Sequence, residues 1–236
     1  IMRKRNIALI LAASMMATFA FGGTTTFAAE EGKTDSVTVG IMADPENMGP
    51  WSGMSQGRIA VLFTTYEYLL TRENGVAYGV LAKNWEAVDP KTYDVELYDY
   101  IHDAAGNPLT ASDVVFSFES AIATKNYGKL SVIDSVTAID DYHVEFKFNK
   151  DLEIGEFENV MLECAIVTQA AYEASPDQMA TTPVGTSAYL VESYVPGSEV
   201  VMKDTGNYWQ TDESLVHGTS IHNAGEIHFS VITEAS

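Results

Sequence analysis

Apolar and polar positions alternate strictly between residues 93 and 98. Tyr93, Val95 and Leu97 are interleaved with Asp94, Glu96 and Tyr98, the period-two pattern of a half-buried strand. Ala105, Gly106, Asn107 and Pro108 break the pattern, because Gly and Asn tolerate positive φ and Pro pre-sets its own. The period then lengthens. Val114, Val115, Phe118, Ala121 and Ile122 recur at i, i+1, i+4, i+7 and i+8, which predicts a helix with one apolar face. Thr110 stands just ahead of it and Asp113 follows three residues later. That is a capping box with Asp in the place of Glu or Gln, and its carboxylate suits the positive end of the helix dipole.

The same patterns predict the other elements. Residues 37–42 read as a strand, followed by a turn-rich loop over 43–51. Ile59, Leu62, Phe63, Tyr66, Leu69 and Leu70 form a helical stripe. Residues 132–139 and 142–148 are two strands joined tightly at Asp140 and Asp141. On the second, Tyr142, Val144, Phe146 and Phe148 share one face and His143, Glu145 and Lys147 the other, so His143 is expected to face solvent. A short helix over 155–162 lies among Glu153, Glu156, Glu158 and Glu163. Paired carboxylates serve glycosidases, but a run of charge is first of all a solvated helix face. Residues 166–168 are expected as a strand and 169–173 as a helical turn. Residues 189–194 and 199–203 form a hairpin across Pro196, Gly197 and Ser198, and 226–233 a last strand with Ile227, Phe229 and Val231 inward. Gly185 is expected to hold a backbone conformation that other residues resist.

Composition narrows the function. The chain of 236 residues carries 33 acidic and 13 basic side chains, a net charge of −20. It lacks the Lys/Arg footprint that nucleic acid or an anionic membrane requires. At 46% hydrophobic residues it can build a substantial core. Cys164 is the single cysteine, so an intrachain disulfide and a cysteine metal site are both excluded. Set among apolar neighbours, it reads as a buried small residue. His217, His222 and His228 are spaced so that no one helix or strand face gathers them, and no metal site or cofactor is expected. No His-Glu-x-x-His motif occurs, nor does Gly185 open a phosphate loop. The chain is therefore not expected to be an enzyme, with a secreted hydrolase as the alternative of another class. At the start, Arg3, Lys4 and Arg5 precede an uncharged apolar stretch over 7–21, and Thr26-Phe27-Ala28 offers small residues for cleavage before Ala29. Residues 1–28 are thus a secretory signal, shorter in its apolar run than the ~20 residues of a membrane span. No membrane-spanning segment is expected after its removal.

Asn107, Pro108, Leu109, Thr110, Ala111, Asp113, Val114, Val115, Phe116, Ser117 and Phe118 resemble, in register, a segment of the extracytoplasmic solute-binding proteins of family 5, the peptide- and nickel-binding subunits of ABC importers. Further blocks follow in the right order. Gly79 to Glu86 is similar to the family's "P.LAe.We", with Val80 for Pro. Thr182 to Tyr194 is similar to "PvGTGpY.l..w", with Ser187 and Ala188 for Gly and Pro, and Asn207-Tyr208-Trp209 stands at the family's distance after it. Asn47-Met48-Gly49-Pro50 departs from the usual x-Leu-Asp-Pro. Phe21 replaces the lipobox Cys that many relatives carry before Gly-Gly, so no lipid anchor is expected there. The resemblance implies an α/β fold, periplasmic-binding-protein-like (type II, peptide-binding class). After a tail over 29–36, an incomplete lobe I would comprise 37–70 and 165–236, with an inserted α/β subdomain over 71–164 and the second lobe absent. It implies an exported, extracytoplasmic binding component (periplasm or outer face of the cell membrane) that captures peptides for uptake with ABC permease subunits and cytoplasmic ATPases; nickel chelate, oligosaccharide and haem are the other ligands it allows. By resemblance the loop after the first strand meets the ligand, through Asp44, Pro45, Glu46, Asn47 and Met48 together with Trp51.

Overall fold

The computed structural model describes residues 33–232. The expected signal over 1–28, and the tail as far as residue 32, lie outside the described residues. The chain runs through β1 (Thr34–Ile41), α1 (Ile59–Thr65), β2 (Leu70–Glu73), β3 (Val76–Gly79), β4 (Ala82–Asp89) and β5 (Thr92–Leu97). It continues with α2 (Ala111–Thr124), β6 (Ile133–Ala138), β7 (His143–Phe148), α3 (Glu156–Met161) and α4 (Gln169–Ala174). It closes with β8 (Tyr189–Val195), β9 (Glu199–Asp204) and β10 (Ala224–Val231).

Two four-stranded sheets carry the molecule. In one the order is β1-β10-β9-β8, with β1 parallel to β10 and the other pairs antiparallel. In the other, β4-β5-β7-β6, every pair is antiparallel. A parallel pair cannot be closed by a tight turn; here everything from α1 to β9 lies in the connection between β1 and β10.

The alternation read at residues 93–97 becomes β5, the second strand of the antiparallel sheet, with Val95 and Leu97 buried. Its partner β7 buries Val144, Phe146 and Phe148, and His143 is exposed as expected. The helix α2 lays Val114, Phe118 and Ala121 on this sheet, where Phe118 meets Phe146 edge-on at 4.9 Å. α3 adds Phe157, stacked on Tyr93 at 4.2 Å. The capping box is present, the Thr110 N–H donating to Asp113 Oδ2 at 2.7 Å. The other oxygen of Asp113 accepts the Gln169 N–H at 2.8 Å, so one carboxylate starts α2 and fastens the start of α4.

A second core lies under the mixed sheet, where Ile41, Val200, Met202 and Phe229 meet Val61 and Met48. α1 stands between the two cores, sending Leu62 to the first and Val61 to the second.

Three expectations are corrected. The helical stripe over 59–70 ends at Thr65, and Tyr66 is extended at φ −111, ψ 140. Glu67 then bridges to Ile166, and Leu69 and Leu70 reach the core through a bridge and β2 rather than a helix. Residues 166–168 supply that single bridge and no full strand. Gly185 is needed for closeness, not for positive φ: a Cβ there would stand 2.0 Å from the Thr65 carbonyl oxygen. Among the described residues no helix is long and apolar enough to cross a membrane.

Candidate functional site

The end of β1 delivers the chain into the 43–51 loop, which is fastened at almost every step. Asp44 accepts hydrogen bonds from the Glu46 N–H at 2.6 Å, from the Tyr194 hydroxyl at 2.5 Å and from the Gly197 N–H, tying the loop to the β8–β9 turn. Burial works to raise its pKa, but these three donors outweigh it and hold the carboxyl below its ordinary value. Tyr194 is pushed up to about 12 by burial and by Asp44 beside it. The Arg58 guanidinium donates to the carbonyls of Pro45 at 3.2 Å and Ser52 at 2.6 Å, clamping the loop from the foot of α1. Asn47 Oδ1 accepts the Gly49 N–H at 2.8 Å, a local turn that Asn favours.

Met48 is fully buried; its N–H donates to the Ala180 carbonyl at 2.8 Å and its own carbonyl accepts from the Tyr66 hydroxyl at 2.9 Å. Trp51 is buried too, its Nε1 donating to the Ala165 carbonyl at 3.0 Å and its carbonyl accepting from Asn126 Nδ2 at 2.9 Å. Pro45 is likewise buried, whereas Glu46 and Asn47 are exposed at the tip. Of the six residues singled out in the sequence, Glu46 and Asn47 are thus the two exposed ones. Asp44, Met48 and Trp51 hold the loop's shape.

The loop forms one wall of a cleft of about 150 Å³, lined on the other side by Tyr172, Asp177 and Gln178. Glu46, Gln178 and Met179 all lie in the left-handed region, at φ 56, 55 and 65. Side chains other than Gly adopt this conformation at a cost of about 1–3 kcal/mol each. They flank the Met48–Ala180 hydrogen bond from both sides, so the strain is concentrated at the rim. Tyr172 and Asp177 were not visible as site residues in the sequence. The signal available there was the turn chemistry of Ser175-Pro176-Asp177 with Thr181 following.

A second feature missed in the sequence is Glu67, which is 2% exposed. Its carboxylate accepts from the Ser220 hydroxyl at 2.5 Å, the Tyr208 hydroxyl at 2.6 Å and Trp209 Nε1 at 2.8 Å. Thr186 Oγ1 is buried beside this carboxylate. No cation among the described residues pairs with Glu67, and burial raises its pKa against the lowering effect of these donors. It is a structural knot linking the end of α1 to the 208–220 segment. An acid inside an apolar stripe, Tyr66-Glu67-Tyr68-Leu69-Leu70, was the clue.

The Cys164 thiol is fully buried, and burial pushes its pKa well up, as suits an inert core residue. His217 stacks on Tyr78 at 4.2 Å, His222 meets Tyr208 edge-on at 4.6 Å, and His228 lies near Glu226 and Glu199. The three stand apart, and no metal-competent group of side chains occurs among the described residues. A wider cavity of about 270 Å³ lies at the opposite end of the mixed sheet, between Asp204 and His222.

The model of the family described as "Bacterial extracellular solute-binding proteins, family 5 Middle" matches residues 77–236. The chain is similar to the nickel-binding protein NikA of Staphylococcus aureus, 28% identical over 151 residues, which is 63% of this chain and 30% of that protein. It is similar also to the periplasmic murein peptide-binding protein MppA of Escherichia coli, 21% identical over 201 residues, 75% of this chain and 37% of that one. Among solved structures it resembles the oligopeptide-binding protein AppA from Bacillus subtilis, in complex with a nonapeptide. The TM-score is 0.72 at 18% identity, over 85% of this chain and 40% of AppA. The expected α/β, periplasmic-binding-protein-like fold is therefore the fold observed. The chain spans about a third of the length of the curated relatives it matches.

Proposed function

Because this chain belongs to the family 5 bacterial extracellular solute-binding proteins, we propose that it is part of an exported receptor that captures peptides and presents them to an ABC importer. The family match over residues 77–236 carries the proposal. Peptide-binding relatives predominate among those it resembles, and a peptide's backbone is recognised by strand-like pairing that tolerates varied side chains. Nickel chelate is the second ligand to consider, because a relative named for nickel binding aligns at 28% identity. Binding without turnover is the expected chemistry, and ABC permease subunits with their ATPases are the expected partners.

The domain division proposed from the sequence is supported by the two sheets. The mixed sheet draws its strands from 34–41 and 189–231, and the antiparallel one from 82–148. Lobe I would then comprise 37–70 and 165–236, with 71–164 inserted. Export through the 1–28 signal, without a lipid anchor at Phe21, remains part of the proposal. The 43–51 loop is the proposed ligand-facing edge: Glu46 and Asn47 present their polar groups, while Asp44, Pro45, Met48 and Trp51 position them.

The test is a thermal-unfolding screen of the full-length gene product against peptide pools and against nickel with histidine. A ligand present at about a hundred times its Kd stabilises the folded state by about 2.7 kcal/mol, a shift of several degrees. Stabilisation by a peptide pool, with the peptides recovered intact, is the result expected. Stabilisation by nickel–histidine alone would move the assignment to the second ligand, and peptide cleavage would overturn the receptor assignment.

A further inference from the structure

The cleft beside the 43–51 loop has walls of a particular chemistry. Trp51 and Tyr172 line it with ring centres 5.0 Å apart, and Phe116 backs both at 5.7 and 5.5 Å. Asp177 lines the same cleft. Its carboxylate is held by its own turn, Oδ2 accepting the Thr181 hydroxyl at 2.6 Å and N–H at 3.0 Å, and Oδ1 accepting the Ser175 hydroxyl at 2.9 Å. The Thr181 hydroxyl above all keeps this group ionised, against the opposing effect of partial burial. No Lys, Arg or His among the described residues forms an ion pair with it. Each carboxylate oxygen has room for two donors, so Oδ1 keeps one position open.

A carboxylate and aromatic rings that line one cleft both attract a cation, the first by charge and the second by the ring quadrupole. The cleft, about 150 Å³, has room for the end of one side chain. The strained backbone of Gln178 and Met179, with Gly49 close enough that a Cβ would lie 3.0 Å from the Gln178 carbonyl oxygen, fixes the spacing of the two walls.

We propose that this cleft receives the ammonium or guanidinium end of a Lys or Arg side chain in a captured peptide. The inference rests on the peptide-receptor function and adds a side-chain preference to it. Chain-wide charge favours the same ligands, since a net charge of −20 draws cationic peptides toward the surface.

Calorimetry on the full-length gene product would compare tripeptides that carry Lys, Arg or the uncharged isostere norleucine at each position in an alanine background. The expected result is at least fivefold tighter binding of the Lys and Arg peptides. Asp177→Asn keeps an oxygen for the Thr181 donors, and it should abolish the preference of Lys and Arg peptides over norleucine peptides. Tyr172→Leu, on a different element, should reduce the same preference. Equal affinity for Lys and norleucine peptides would overturn the inference and leave the receptor standing, as would a preference that survives in Asp177→Asn. If no peptide binds, the receptor's peptide assignment fails on its own, and titration of methylguanidinium followed by the NMR signal of the Trp51 indole N–H then decides. A perturbation lost in Asp177→Asn supports the cation site, and an unmoved signal overturns it.

Discussion

Glu67 is a carboxylate among neutral donors, and its cost varies with pH. Because burial raises its pKa in the folded state above the ordinary 4.5, the folded protein holds this proton more tightly than the unfolded chain does. The stabilisation from that proton is complete below about pH 4.5 and is lost as pH rises through the folded pKa, with a slope of at most about 1.4 kcal/mol per pH unit. Urea unfolding of the wild type and Glu67→Gln, carried out at several pH values, should show the wild type losing ground to the variant as pH rises from 4.5. A constant difference across that range would mean that Glu67 does not titrate as its burial demands. Gly185 teaches a related lesson about single positions. A glycine in a sequence signals either unusual φ or crowding, and only the Thr65 carbonyl oxygen, 2.0 Å from the place a Cβ would take, identifies crowding as the cause.

At the level of elements, the local rules held wherever the signals lay close together in the chain. The strand at 92–97, the Gly106 turn and the capped α2 are set by alternation, turn chemistry and a capping carboxylate within some thirty residues. Asp113 adds a long-range duty that no such rule anticipates, since it also accepts from the Gln169 N–H. Asp113→Ala should therefore cost about 1–2 kcal/mol, the upper part of the range for a lost cap, read as a lowered urea midpoint with unchanged slope. A loss below a few tenths would show that solvent replaces both bonds freely. α1 failed in the opposite sense. Its apolar spacing continues to Leu70, but Tyr66 and Glu67 leave the helix to satisfy the Met48 carbonyl and the Tyr208, Trp209 and Ser220 donors, partners far away in sequence.

For the molecule as a whole, 33 acidic against 13 basic residues leave the surface under its own repulsion. Raising sodium chloride from ~10 to ~150 mM shortens the screening length from about 30 to about 8 Å, so the melting temperature should rise by several degrees. A flat or falling response in differential scanning calorimetry would place the acids in compensating pairs instead. Composition and order of motifs by themselves determined a great deal here: the α/β class, the family, the buried thiol of Cys164, the solvent-facing His143 and the β8–β9 hairpin. Each follows from periodicity, turn residues or blocks contiguous in the chain, which act before any distant contact forms. Only the tertiary structure decided that Met48 and Trp51 are anchors while Glu46 and Asn47 are exposed, that Glu67 lies in the core, and that Asp177 and Trp51 line one cleft. Those facts depend on which distant donors and carbonyls come to lie opposite one another when the two sheets close around α1, and no local period records that.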